Sequence, residues 1–191
     1  MNSAQPSIGY SFLTQILNKS FNKFVITTSF DKMLEDAFFE IGDTKPLVLG
    51  YDILNKYINT LSPMQPTIIK VHKDFLFSPL DTEKKMDKKL KKSLKPVLRN
   101  NSMIVLGYDG NDESLMTYLK QRKNRKPIYW CYIKEKEISD NIKELLTKDD
   151  FLIQITSFDK FMLLVSDKLG FESLEHKEPH HQIKDTTSNT K

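Results

Sequence analysis

A chain of 191 residues with 39% apolar and 28% charged residues has the composition of one globular domain. Its formal charge of +4 is too mild to argue for nucleic acid by itself, and no apolar run reaches the roughly 18 residues of a membrane helix. The N-terminus has no signal-peptide core, and a lone cysteine, Cys131, excludes an internal disulfide, so a reducing cytoplasm is the expected compartment.

Pro6 to Asn18 has Tyr10, Leu13 and Leu17 at helical spacing and predicts a short helix. The apolar run Phe24–Thr28 then predicts a strand that stops at two threonines. Thr28 and Asp31 have the spacing of a capping box, with Asp in the Glu position. A helix is therefore expected within about three residues of the strand end, with Leu34, Ala37, Phe38 and Ile41 on one face. Further strands are predicted at Leu47–Leu49, Thr67–His72, Ile104–Gly107, Ile128–Ile133 and Leu152–Ile155. Helical patterns separate most of them: Asp112 to Gln121 with Leu115 and Leu119 inward, Ser139 to Leu146, and a last helix carrying Phe158, Phe161, Val165 and Leu169 on a shared face. Ser157 can start that last helix and Gly170 can end it. The alternation argues for an α/β fold, a mainly parallel sheet flanked by helices in three layers. Residues 1–175 are expected to form this domain and 176–191 a polar, disordered tail.

Between the third and fourth strands lies a lysine-rich stretch, Asp81 to Asn100. Lysines 84, 85, 88, 89, 91, 92 and 95 surround Met86, Leu90 and Leu94, which recur every four positions and make one helical stripe. The ordinary reading is a solvated surface helix. The functional one is a basic face for phosphate, nucleic acid or an acidic partner. No interleaved aromatic residues support base stacking, which leaves nucleic acid the minor alternative. Pro96 is expected to break or kink this helix near its end.

Strand ends are where open α/β sheets bind ligands. Three polar strand ends occur here, at Thr27-Thr28-Ser29, at Lys70-Val-His72 and at Gly107-Tyr-Asp-Gly-Asn-Asp112, and they could face one cleft. A neutral imidazole at His72 could act as a general base on a ribose hydroxyl, or be a partly exposed histidine without a role. Gly107 would let backbone approach a ligand, Gly110 would permit a tight turn, and Asp112 could cap the next helix. A plain strand–turn–helix connection would use the same residues. Cys131, in the apolar run Ile128-Tyr-Trp-Cys-Tyr-Ile133, is expected to be a buried, inert thiol. His180 and His181, in the polar tail, are weak metal ligands without a scaffold. No GxGxxG or P-loop sequence occurs.

In order, Pro6-Ser-Ile-Gly-Tyr10, Val25-Ile-Thr-Thr-Ser-Phe-Asp31, Ile69-Lys-Val-His72 and Val105-Leu-Gly-Tyr-Asp-Gly-Asn-Asp112 resemble the later part of a bacterial sirtuin-like domain, of the branch found in anti-phage defence proteins. The resemblance covers roughly residues 5 to 170. It implies a Rossmann-like sheet that binds NAD, with cleavage of the nicotinamide–ribose bond to deacylate lysine or to hydrolyse NAD. By that match His72 would be the general base and Ser29 its catalytic companion. Thr27, Thr28 and Asp31 would frame the nicotinamide-ribose pocket, and Gly107, Tyr108 and Asp112 would lie near the adenosine half. Ser29 stands where the family has asparagine, Lys73 where it has glycine and Asp109 where it has serine. The family's glycine-rich phosphate loop and its zinc-binding CxxC pairs have no counterpart in the sequence, so no metal site is expected. These departures favour a non-catalytic module, with a homo-oligomeric or companion protein as partner; a nucleic-acid binder using the Lys84–Lys95 face is a separate alternative.

Overall fold

The fold is that of a computed structural model, which describes residues 5–21, 23–41, 44–50, 53–54, 57, 65–71, 88–121, 125–135 and 137–171. In chain order it consists of α1 (Ile8–Lys19), β1 (Phe24–Thr27), α2 (Met33–Ile41), β2 (Leu47–Leu49), β3 (Thr67–Lys70), α3 (Lys88–Asn100), β4 (Met103–Val105), α4 (Glu113–Lys120), β5 (Ile128–Ile133), α5 (Asp140–Leu145), β6 (Phe151–Ile155) and α6 (Phe158–Lys168). Every strand pair is parallel. Two three-stranded sheets result, ordered β1-β3-β2 and β4-β5-β6. The fold is the expected α/β arrangement, parallel sheets flanked by helices. No described helix is long and apolar enough to cross a membrane.

Parallel strands need cover on both faces, because their crossover helices lie there. In β3 the successive residues Ile68 and Ile69 point to opposite faces, and both are fully buried. Ile68 packs with Leu17 of α1 and with Leu34 and Phe38 of α2. Ile69 joins a larger core that spans both sheets, with Leu49, Leu94 and Leu98 of α3, Val105, Met116 and Leu119 of α4, Trp130, and Ile142 of α5. One helical layer thus contains α1 and α2, and the other α3, α4 and α5. The Tyr118 hydroxyl donates to the Lys91 carbonyl at 2.8 Å and ties α4 to α3.

Three local expectations are corrected. No capping box forms across Thr28 and Asp31. Thr27 Oγ1 accepts from the Ser29 amide at 3.0 Å and Asp31 Oδ1 from the Met33 amide at 3.1 Å, so the helix starts only at Met33. Pro96 does not end α3, which continues to Asn100. Its ring lies on the exposed face, where water can serve the carbonyl that it leaves unpaired. In α6 the buried positions are Met162 and Ser166, while Leu169 is exposed, so the inward stripe is rotated from the expected one. Lysines 84 and 85, Met86 and the start of the lysine-rich stretch lie outside the described residues, as do His180, His181 and the expected tail.

Small residues cause that rotation. Helix α6 lies against α1 at Gly9, where a Cβ would come within 2.7 Å of the Phe158 ring. Asp159 accepts from the Ser7 hydroxyl at 2.6 Å and from the Gly9 amide at 2.9 Å. Glycine at this contact lets α6 turn Phe158, Met162 and Ser166 toward α1.

One buried carboxylate organises the second sheet. The Asp150 side chain is fully enclosed just before β6. It accepts both nitrogens of the Arg125 fork, the Ile128 amide at 2.8 Å, and the Thr147 amide and hydroxyl at 2.7 and 2.9 Å. Arg125 also donates to the Leu145 carbonyl at 3.2 Å, at the end of α5. Burial pushes the Asp150 carboxyl up, but its hydrogen bonds from Arg125, Thr147 and Ile128 outweigh this and hold it well below the usual range. Folded Asp150 therefore binds fewer protons than the unfolded residue. Its stabilisation is complete above the ordinary value of 3.8 and is lost as pH falls toward the lower folded value. Asp150→Asn should cost about 3 kcal/mol at neutral pH, because it leaves Arg125 enclosed without its counter-charge. Urea unfolding at pH 7 and again near pH 3 checks this, with the gap between the two proteins narrowing at the acid end. Gly9→Val should independently lower stability by about 2 kcal/mol or more through overpacking, read in the same titration at neutral pH.

Candidate functional site

The carboxyl ends of β4, β5 and β6 open onto a cavity of about 90 Å³. Its walls are Leu106, Gly107, Tyr108 and Asp109 after β4, Trp130 to Ile133 of β5, Glu137 and Ile138 beyond it, Ile142 of α5, Ile155 and Phe158. The loop after β4 is shaped by two glycines with positive φ, Gly107 at 65° and Gly110 at 72°. They differ in what surrounds them. A Cβ at Gly110 would lie 2.9 Å from Ile142 Cγ1, whereas none at Gly107 would meet any atom within 4 Å. Gly110 is thus a packing glycine. Gly107 leaves bare backbone beside open space, where a ligand can approach.

Helix α5 pins this loop. The Ser139 hydroxyl donates to the Asp109 carbonyl, and Asn141 Nδ2 to the Gly110 carbonyl, each at 3.3 Å. Asp112 is the N-cap of α4, accepting from the Leu115 amide at 2.9 Å. Tyr108 packs against the buried Trp130 ring, centroids 5.8 Å apart. Its hydroxyl oxygen is buried and has no hydrogen-bond partner of normal geometry. Burial, and secondly the Asp112 carboxylate, push the Tyr108 hydroxyl up to about 12, with the Asp112 backbone acting in the opposite direction. Burial alone pushes the Cys131 thiol up to about 11, in keeping with the inert cysteine expected.

The end of β1 carries a separate polar network. The exposed Ser29 hydroxyl donates to Asp31 Oδ2. Lys70, at the end of β3, reaches Glu35 Oε1 at 2.7 Å and donates to the Asp31 carbonyl at 2.9 Å. Thr27 is joined to the next strand through its carbonyl, which accepts from the Val71 amide at 3.1 Å. Thr28 is half-buried beside it. None of Thr27, Thr28, Ser29, Asp31 or Asp112 lines the cavity, whereas Gly107 and Tyr108 do. His72 lies outside the described residues. Among the described residues no group of histidine, cysteine and carboxylate side chains is placed to hold a metal ion.

Sequence reasoning missed the contribution of β5. Trp130 and Cys131 read as core residues, and they are buried, yet they also wall the cavity. Glu137 and Ile138 carried no motif at all. The rule that ligands gather at strand ends, applied to β5 as it was to the other strands, would have found them.

Fold and cleft together define an α/β protein of parallel strands with a cavity at their carboxyl ends. The family model described as "SIR2-like domain" matches residues 23–155, and the chain belongs to that family. Its function is in general terms NAD-related. No curated protein matches the chain.

The orphaned Tyr108 hydroxyl yields a stability test. Tyr108→Phe removes a buried oxygen that has at most a poorly aligned bond from the Asp112 backbone, so it should leave stability unchanged or raise it by up to about 1 kcal/mol. A paired buried hydroxyl would instead lose about 1 kcal/mol, and urea unfolding distinguishes the two.

Proposed function

We propose that the chain is an NAD-binding module of the SIR2-like family that holds the dinucleotide by a nucleoside end, and that by itself it does not turn NAD over. The observation that carries this is the open backbone at Gly107 beside the unpartnered Tyr108 hydroxyl. Bare backbone, an aromatic wall and one idle polar atom suit the edge of a nucleoside. A cavity of about 90 Å³ accepts only part of a dinucleotide, because pockets for whole ligands start at roughly 300 Å³.

The phosphate half fits poorly. Helix N-termini at strand ends are ready anion sites, since their free amides and dipole favour negative charge. Here Asp31, just before α2, and Asp112, the N-cap of α4, each accept a backbone amide of the first turn, and Glu35, Asp36 and Glu113 add carboxylates within those turns. Asp109 adds a further carboxylate to the cavity wall. A pyrophosphate would meet negative charge where it needs donors.

NAD bound in a sirtuin-like site supplies a labile nicotinamide–ribose bond, and the enzymatic alternative assigns its cleavage, by resemblance, to His72 and Ser29. Against that alternative stands the Ser29 hydroxyl, whose proton is directed to Asp31 rather than to a ribose or water. Anti-phage defence and a cytoplasmic setting belong to this proposal through the family resemblance, and NAD hydrolysis to the enzymatic alternative. A companion protein that supplied phosphate donors would complete the site.

Calorimetry on the purified chain tests the module. NAD and adenosine should both bind in about the high-micromolar to millimolar range, as expected for a ligand held by one end. Gly107→Val should weaken both by at least about tenfold by filling the open backbone. No heat with either ligand overturns the site. Steady nicotinamide release by the isolated chain, abolished in His72→Ala, would overturn the non-catalytic assignment and favour the enzyme.

A further inference from the structure

The outer face of α6 has no role in the cleft. Its inner face meets α1 through Phe158 and Ser166, and Met162 between them is buried. Outside, Lys160, Leu163, Leu164, Asp167 and Lys168 are all exposed. Their spacing of three, four, seven and eight residues from Lys160 puts them on one side of the helix. Leu163 is 50% exposed and Leu164 61% exposed, so the centre of this face is apolar. A cation, Lys160, stands one turn before the pair, and an anion, Asp167, followed by a second cation, Lys168, one turn after it.

We propose that α6 is a self-association surface on which a second copy of this chain docks antiparallel about a two-fold axis between Leu163 and Leu164. The occupant follows from the charge pattern. An axis midway between the two leucines sets Leu163 opposite the partner's Leu164. It also sets Lys160 opposite the partner's Asp167, on both sides of the axis, because each lies 3.5 residues, or about 5 Å, from the centre. A two-fold interface is the same patch used twice and must be complementary to itself. This patch is, since it brings two leucine pairs and two opposite-charge pairs together, with Lys168 one residue beyond each Asp167 and toward the edge of the face. Among the described residues neither Lys160 nor Asp167 has an ion pair within its own chain. Helix dipoles also favour the antiparallel arrangement. Such a helix pair is smaller than a standard interface, so the dimer should be weak and concentration-dependent.

Sedimentation equilibrium of the full chain at physiological salt is the test. The wild type should pass from monomer to dimer with a Kd in about the 1–100 µM range. Lys160→Glu and Asp167→Lys should each weaken dimerisation about tenfold or more, since each replaces two attractions by two repulsions. An equimolar mixture of those two variants should recover wild-type association, because only the mixed dimer pairs every charge with its opposite. Circular dichroism on these exposed-site variants confirms unchanged folding. Leu163→Gln combined with Leu164→Gln should abolish the dimer. A wild type that stays monomeric to about 500 µM overturns the proposal and leaves the face to some other partner. So does a dimer that the charge exchanges leave unchanged, or one that mixing fails to restore.

Discussion

The second sheet depends on the enclosure of Asp150. Parallel strands β5 and β6 run side by side from Tyr129 and Phe151 to Ile133 and Ile155, so their starting points set where their ends emerge. Asp150 fixes that start by accepting from Ile128 at the entry to β5, from Thr147 before β6 and from Arg125, which also reaches the end of α5. Donors from three segments converge on one carboxylate, and displacing any of them strands a buried charge. At the far end of the same strands Trp130 to Ile133 and Ile155 therefore arrive together as a wall. The cavity is a consequence of an ion pair on the opposite side of the sheet.

Carboxylates have the reverse effect at the other end. The turns after β1 and β4 are well made as turns: Asp31 and Asp112 satisfy amides in the first turns of α2 and α4. The same solution withdraws those amides from an anionic ligand and adds negative charge nearby. The strand-end architecture is kept while the amides beside it are occupied by the chain's own carboxylates. Stability and phosphate affinity compete for the same backbone donors.

The α1–α6 contact brings together elements far apart in the chain. Ser7 and Gly9 meet Asp159 across about 150 residues, and the rings of Tyr10 and Phe158 lie 5.1 Å apart. Because Gly9 lets the helices approach, α6 turns Phe158 and Met162 inward and its two leucines outward. An apolar pair bracketed by opposite charges on an exposed helix is the product of that rotation.

Much of the architecture was legible in the sequence. Apolar runs located all six strands of the described residues, and the caps Asp112 and Ser157 and the stop at Gly170 reflect local chemistry that a few neighbouring residues settle. Gly107 was legible as a place where backbone can be approached, since it follows a strand, and Tyr108 was singled out through the family resemblance; both line the cavity. Trp130, Cys131 and Glu137 were not, because their place in the cavity wall depends on which strands become neighbours. The rotation of α6 was hidden too, as periodicity ranks Leu169 and Phe161 as apolar but cannot know that a glycine on another helix invites Ser166 instead. The sequence by itself determined most of the elements and the family, though not every helix end. Only the tertiary structure decided which strand ends share a cavity, because parallel pairing joins residues distant along the chain, and no local spacing encodes which of them will meet.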